Sequence, residues 1–139
     1  MISPAHILQK YWGHSSFRDS QEDIIEAVLD KKDVVTILPT GGGKSVCYQV
    51  PGLILEGVCL VISPLISLMN DQTEQLRNNG IKALTIKSKA TTDEIVSLFD
   101  NLKFGQYKFL YVSPERLQSD LIIQKIKEIN INLIAVDEA

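Results

Sequence analysis

The sequence predicts an α/β fold built on a mostly parallel sheet, and three observations lead there. Short apolar runs recur along the chain, at Val34–Leu38, Val58–Ile62, Ala83–Ile86, Phe109–Val112 and Leu133–Val136. Most are continuous rather than alternating, the pattern of strands covered on both faces of a parallel sheet. Stretches with helical spacing lie between them, and such alternation implies right-handed crossovers.

Each element has its own signal. Ser3-Pro4, Ser63-Pro64 and Ser113-Pro114 share one helix-opening device: serine caps the first amides, and proline follows where a donor is not needed. Between residues 65 and 79, Leu65, Leu68, Met69, Gln72 and Leu76 fall on one helical face, with Gly80 as the stop. Thr92-Asp93-Glu94 opens another helix, its acids set against the positive end of the dipole. Residues 121–129 form a third. The helix after the glycine-rich loop meets Pro51-Gly52 and should break or kink there.

Composition narrows the class. A chain of 139 residues is one domain at most, and 45% hydrophobic against 22% charged residues supply a core. No apolar run is long enough to span a bilayer, and MISPAHILQK lacks a signal-peptide layout. A cytoplasmic protein with no membrane partner is expected. Cys47 and Cys59 sit among apolar neighbours without metal-ligand spacing, so two reduced, buried thiols are expected. A net charge of −3 offers no bulk basic footprint, so any nucleic-acid contact must be local. There is no internal repeat, linker or low-complexity tract.

The strongest motif is Val34-Val35-Thr36-Ile37-Leu38, then Pro39-Thr40-Gly41-Gly42-Gly43, then Lys44-Ser45. Strand, glycine-rich turn and helix start are the context a phosphate loop needs. Glycines let amides turn toward an anion, and the helix N-terminus adds donors and partial positive charge. Lys44 should reach the β- and γ-phosphates, and the Ser45 hydroxyl should ligate Mg²⁺. The generic pattern wants glycine where Leu38 stands. The bland alternative is a glycine turn followed by an exposed lysine.

A second signal ends the chain. Leu133–Val136 runs into Asp137-Glu138, placing two acids at the C-terminal end of a strand, where parallel sheets bind ligands. Asp137 would hold Mg²⁺ through water, and Glu138 would orient or deprotonate the attacking water. Taken alone, such a pair is often just a strand's solvated end.

Together these residues resemble the RecQ branch of superfamily-two DNA helicases. LPTGGGKSVCYQVP is similar to that branch's phosphate loop and accounts for Leu38. YWGHSSFRDSQEDII resembles its adenine-recognition motif, VISPLISLMNDQ its motif Ia, YVSPERL its Pro-Glu-Arg-Leu motif, and VDEA the start of the DEAH box. The resemblance covers nearly the whole chain. It implies a RecA-like P-loop NTPase fold, three layers α/β/α, of which residues 1–139 are the N-terminal portion of the first motor domain. It implies ATP and Mg²⁺ as cofactors, and DNA, at single-strand–duplex junctions, as partner. It implies that ATP hydrolysis drives unwinding with three-prime to five-prime polarity.

Residue by residue, Gln21 would read adenine through its amide, and Arg18 would stack on one face of the base. His14 stands where the family usually has tyrosine for the other face; imidazole offers less surface. Phe17 reads as a core anchor. Thr40, Gly41, Gly42 and Gly43 with Lys44 and Ser45 would cradle the phosphates, and Lys44, Asp137 and Glu138 are the catalytic candidates. Ser63, at an expected helix start, and Arg116 are candidates for nucleic acid. For Arg116, an interdomain contact and a surface salt bridge are alternatives. Lys87-Ser88-Lys89 is read as a solvated loop.

In the family, the motif III strand lies between the phosphate-loop strand and the DEAH strand. The sequence ends inside the DEAH box, so the resemblance implies unpaired sheet edges. Marginal stability, self-association or an altered pairing is then expected, as is weak nucleotide binding and hydrolysis without unwinding by this piece alone. Other readings are an RNA-acting superfamily-two ATPase, or a nucleotide- or DNA-binding module without catalysis. A GTPase is disfavoured, since no Asn-Lys-x-Asp is present.

Overall fold

A computed structural model describes residues 2–18, 20–37, 43–87 and 89–137. The chain divides into two compact units, residues 1–56 and 57–139.

The first unit is helical. Helix α1 (Pro4–Trp12) opens as expected: Ser3 Oγ accepts from His6 N at 3.2 Å, with proline in the first turn. It ends at Gly13, whose φ of 74° is a left-handed cap suited to glycine. Helix α2 (Gln21–Leu29) carries Glu22 and Asp23 in its first turn. Helix α3 (Val46–Ile54) follows the glycine-rich loop. The three meet at Ile7, Ile25 and Val50, with Tyr11, Trp12, Phe17, Leu29, Leu53 and Ile54 packed around them. Phe17 is thus a core anchor, as its sequence context suggested.

Helix α3 does not break at Pro51. It runs through Pro51 and Gly52, both buried, to Ile54. An interior proline costs about 3 kcal/mol through a lost hydrogen bond and a clash. Burying Val50 completely, with Leu53 and Ile54 partly covered, offsets this, since each fully buried aliphatic side chain contributes about 1.5–3 kcal/mol.

The second unit is a three-layer α/β/α sandwich. Strands β1 (Val58–Ile62), β2 (Ala83–Thr85), β3 (Phe109–Val112) and β4 (Ile131–Val136) form one sheet, in the order β2-β3-β1-β4. All three pairings are parallel. Leu60 is flanked by Leu110 on one side and Ile134 on the other, and Ala83 stands opposite Phe109. Helices α4 (Ile66–Asn78), α5 (Thr92–Phe104) and α6 (Asp120–Lys127) lie in the connections between the strands.

Alternation along the strands sorts the two faces. Val58, Leu60, Leu110 and Val112 pack with Ile95, Phe99 and Leu102 of α5 and Ile122 of α6. On the other face α4 is tied to β2: Thr85 Oγ1 donates to Thr73 Oγ1 at 3.3 Å, and Arg77 Nε donates to the Ala83 carbonyl at 2.9 Å. Strands β1 and β3 are therefore buried on both faces, which is what their continuous apolar runs require. β4 is an edge strand, and Ile134 and Val136 are exposed.

Helix starts vary in their chemistry. Thr91 and Glu94 form a reciprocal capping box at α5, one residue before the expected opening. The Ser-Pro device holds only at α1. Ser63 continues the β1 ladder, its amide donating to the Val112 carbonyl at 3.1 Å, and α4 begins at Ile66 instead. Ser113-Pro114 opens a five-residue 3₁₀ turn, Pro114–Gln118, without a side-chain cap.

One strand expectation fails. Residues 34–37 form no strand, and Leu38 lies outside the described residues. Val35 and Ile37 are each 94% exposed. A β-branched run becomes a strand only where a neighbour supplies ladder hydrogen bonds, and no described strand does so here. Accordingly, Val35→Thr and Ile37→Thr are expected to change stability by under ~0.5 kcal/mol. Leu110→Ala, in the two-faced core, is expected to cost about 2–5 kcal/mol. Urea denaturation checks both. A loss above ~1 kcal/mol for Ile37→Thr would show that the run is packed after all.

Candidate nucleotide-binding site

The segment before α2 is folded against the end of the glycine-rich loop. The Gln21 backbone nitrogen donates to the Arg18 carbonyl at 2.9 Å, and Arg18 N donates to Gln21 Oε1 at 2.8 Å. Gln21 Nε2 then donates to the Gly43 carbonyl at 3.0 Å, across 22 residues of sequence. Gln21 is 5% exposed, unlike the solvated glutamine usual at a helix start. His14 and Arg18 are exposed.

Gly43 has φ of 75°, a left-handed conformation that favours glycine. A Cβ there would also collide with Gln21 Nε2. Lys44 and Ser45 form the turn that leads into α3. Ser45 has helical φ and ψ and makes no side-chain capping bond. Two tight steps open the helix: Cys47 N donates to the Lys44 carbonyl at 3.1 Å, and Tyr48 N to the Ser45 carbonyl at 3.2 Å. The positive end of the α3 dipole therefore lies at Lys44-Ser45, a position that suits an anion. Thr40, Gly41 and Gly42 lie outside the described residues.

In the second unit, parallel pairing puts every strand's C-terminal end on one edge. Asp137 follows β4, and its amide continues the ladder by donating to the Ile62 carbonyl at 2.9 Å. Glu138 lies outside the described residues. Hydroxyl and carboxylate oxygens, as on Ser45 and Asp137, are hard donors that fit Mg²⁺. That ion is usually held by one or two carboxylates plus phosphate rather than by a protein cage. Among the described residues no group of three His, Cys, Asp or Glu could hold a metal ion.

Ser63 stands on the same edge but is 2% exposed, and its hydroxyl accepts from Leu65 N at 3.3 Å. Arg116 is turned inward as well. Its Nη2 donates to the Lys87 carbonyl at 2.5 Å and to the Ala90 carbonyl at 3.4 Å, while Nε is buried without a partner. The guanidinium thus ties the turn after β3 to the turn after β2, a role its sequence context did not signal. Arg116→Ala is expected to destabilise the chain by about 1–2 kcal/mol and to speed hydrogen exchange at Ala90 N, which closes that turn on the Lys87 carbonyl. Unchanged exchange would show that the clamp is idle.

Both cysteines are free and buried, as expected. Burial pushes the Cys47 thiol up, against its backbone hydrogen bond. Burial pushes Cys59 up to about 12 from an ordinary 9.0, opposed by the nearby Lys108 charge. The folded thiol stays protonated where the unfolded one ionises, so stability is full below pH 9 and falls as pH rises toward 12. The urea midpoint of wild type is expected to decline more between pH 8.5 and pH 10.5, roughly the range above the free-thiol value, than that of Cys59→Ala. Parallel curves would refute this.

The phosphate-loop helix, the Gln21 segment and the acid-tipped parallel sheet define a class, and the family comparison agrees with it. The DEAD/DEAH box helicase family matches residues 18–139, and the chain belongs to that family. Within it, the similarity is to RecQ-type proteins. The chain is 46% identical over 133 residues to the probable ATP-dependent DNA helicase RecS of Bacillus subtilis, covering 95% of this chain and 26% of the relative. It is 45% identical to the ATP-dependent DNA helicase RecQ of Bacillus subtilis, covering 96% and 23%. For RecQ of Haemophilus influenzae the identity is 44%, covering 96% and 22%. The chain therefore spans about a quarter of the length of these relatives. No helix among the described residues is long and apolar enough to cross a membrane.

Proposed function

We propose that this chain is the nucleotide-binding part of the first motor domain of a RecQ-type helicase. In the whole protein, ATP hydrolysis would drive three-prime to five-prime unwinding of DNA. The observation that carries the reading is the bond from Gln21 to Gly43. It joins the segment that resembles an adenine reader to the end of the phosphate loop, within one compact unit.

The roles follow from the chemistry of each group. Gln21 reads the adenine edge, with Arg18 and His14 stacking on its faces. Thr40, Gly41, Gly42 and Gly43 and the N-terminus of α3 bind phosphate oxygens. Lys44 neutralises charge on the β- and γ-phosphates. Ser45 and Asp137 hold Mg²⁺, which supplies Lewis-acid stabilisation of the transferring phosphoryl group. Glu138 orients the attacking water. DNA lies along the sheet edge that carries Ser63 and Arg116. Arg116 serves that surface through the loop it holds, since its guanidinium donates to backbone carbonyls.

Calorimetric titration of Mg²⁺-ATP into the chain tests the nucleotide site, with Mg²⁺-GTP and Lys44→Ala as comparisons. ATP is expected to bind at least about tenfold more tightly than GTP, the discrimination of a site built to hydrogen-bond one base. The Lys44→Ala variant is expected to abolish binding. Equal affinity for the two nucleotides would remove the adenine assignment. Retention of binding in Lys44→Ala would remove the phosphate-loop assignment.

A further inference from the structure

Gln21 is more deeply engaged than a base reader needs to be. It is 5% exposed, its Oε1 accepts from Arg18 N at 2.8 Å, and its Nε2 donates to the Gly43 carbonyl at 3.0 Å. That carbonyl also receives Cys47 Sγ at 4.0 Å, from the first turn of α3. Gly43 sits at φ of 75°, where the peptide can be turned either way at little steric cost. Such freedom is a liability in a phosphate loop. Anions are bound by amides that converge on them, and a carbonyl turned toward the anion repels it. A carbonyl held by a protein donor cannot turn that way.

We infer that Gln21 is a positioning residue for the phosphate loop as well as a reader of the base. By holding the Gly43 carbonyl, it fixes the peptide that leads into Lys44 before nucleotide arrives. The two roles are compatible, because a primary amide accepts two hydrogen bonds and donates two. Nucleotide affinity then depends on Gln21 even for ligands that have no base. The inference rests on the nucleotide-binding reading above and adds to it a link between base and phosphate sites.

The test is calorimetric titration of Mg²⁺-tripolyphosphate, Mg²⁺-ATP and Mg²⁺-GTP into the full chain and into Gln21→Met. A positioning role predicts that all three ligands weaken by a similar factor, about three- to tenfold for one lost hydrogen bond. If ATP falls to the level of GTP while tripolyphosphate and GTP are unchanged, Gln21 reads the base alone and the inference is wrong. Should Gln21→Met fail to fold, Gln21→Glu gives the same reading. It keeps the acceptor for Arg18 N and loses the donor to Gly43, and repeating it at high salt screens out charge repulsion. If the wild-type chain binds none of the three, the proposed nucleotide site itself fails, and this inference fails with it.

Discussion

In a parallel sheet every strand must start from the same side, so each connection has to cross back over a face. That constraint organises residues 57–139. The crossovers α4, α5 and α6 cover both faces of β1 and β3, and Cys59, Val61, Phe109, Leu110, Tyr111 and Val112 are fully buried as a result. It also sends every C-terminal strand end to one edge, so Ser63, Arg116 and Asp137 share that edge although they are far apart in sequence. No local feature near any of them sets this arrangement. It comes from the ladder.

Much of this was legible in the sequence. The runs at Val58–Ile62 and Phe109–Val112 match their strands residue for residue, because two buried faces demand uninterrupted apolar side chains. The run at residues 34–37 has the same composition and forms no strand. Composition records what a strand could bury, and pairing depends on a neighbour that a local window cannot see. Pro51 misleads for a related reason: its local cost is real, but burial of the surrounding helix outweighs it.

The site was legible in a different way. Its motifs are short, and their spacing located Gly43, Lys44, Ser45 and Asp137 without structural help. The sequence did not show how polar side chains would be spent. Ser63 was expected to cap a helix and instead extends a strand. Arg116 was expected to face a ligand or a carboxylate and instead holds the carbonyls of Lys87 and Ala90. Gln21 was expected to face a base, and nothing in its motif announced that its amide would be buried against Gly43. Side chains of this kind are satisfied by whichever backbone group the fold brings near, and that choice is tertiary.

The overall charge shows the same separation between local and global terms. A chain with net charge −3 is a poor candidate for anion binding if its charge is averaged over the surface. Exposed charges farther than about 8 Å from a site are largely screened at physiological ionic strength. What an anion meets at the start of α3 is set by the few groups within that distance: the positive end of the helix, Lys44, and a Gly43 carbonyl held by Gln21. Orientation of one peptide there can matter more than several distant carboxylates, because amide dipoles in fixed positions need no reorganisation when the ligand arrives. A phosphate loop can therefore operate in an acidic protein as long as the hydrogen bonds that hold its peptides are intact.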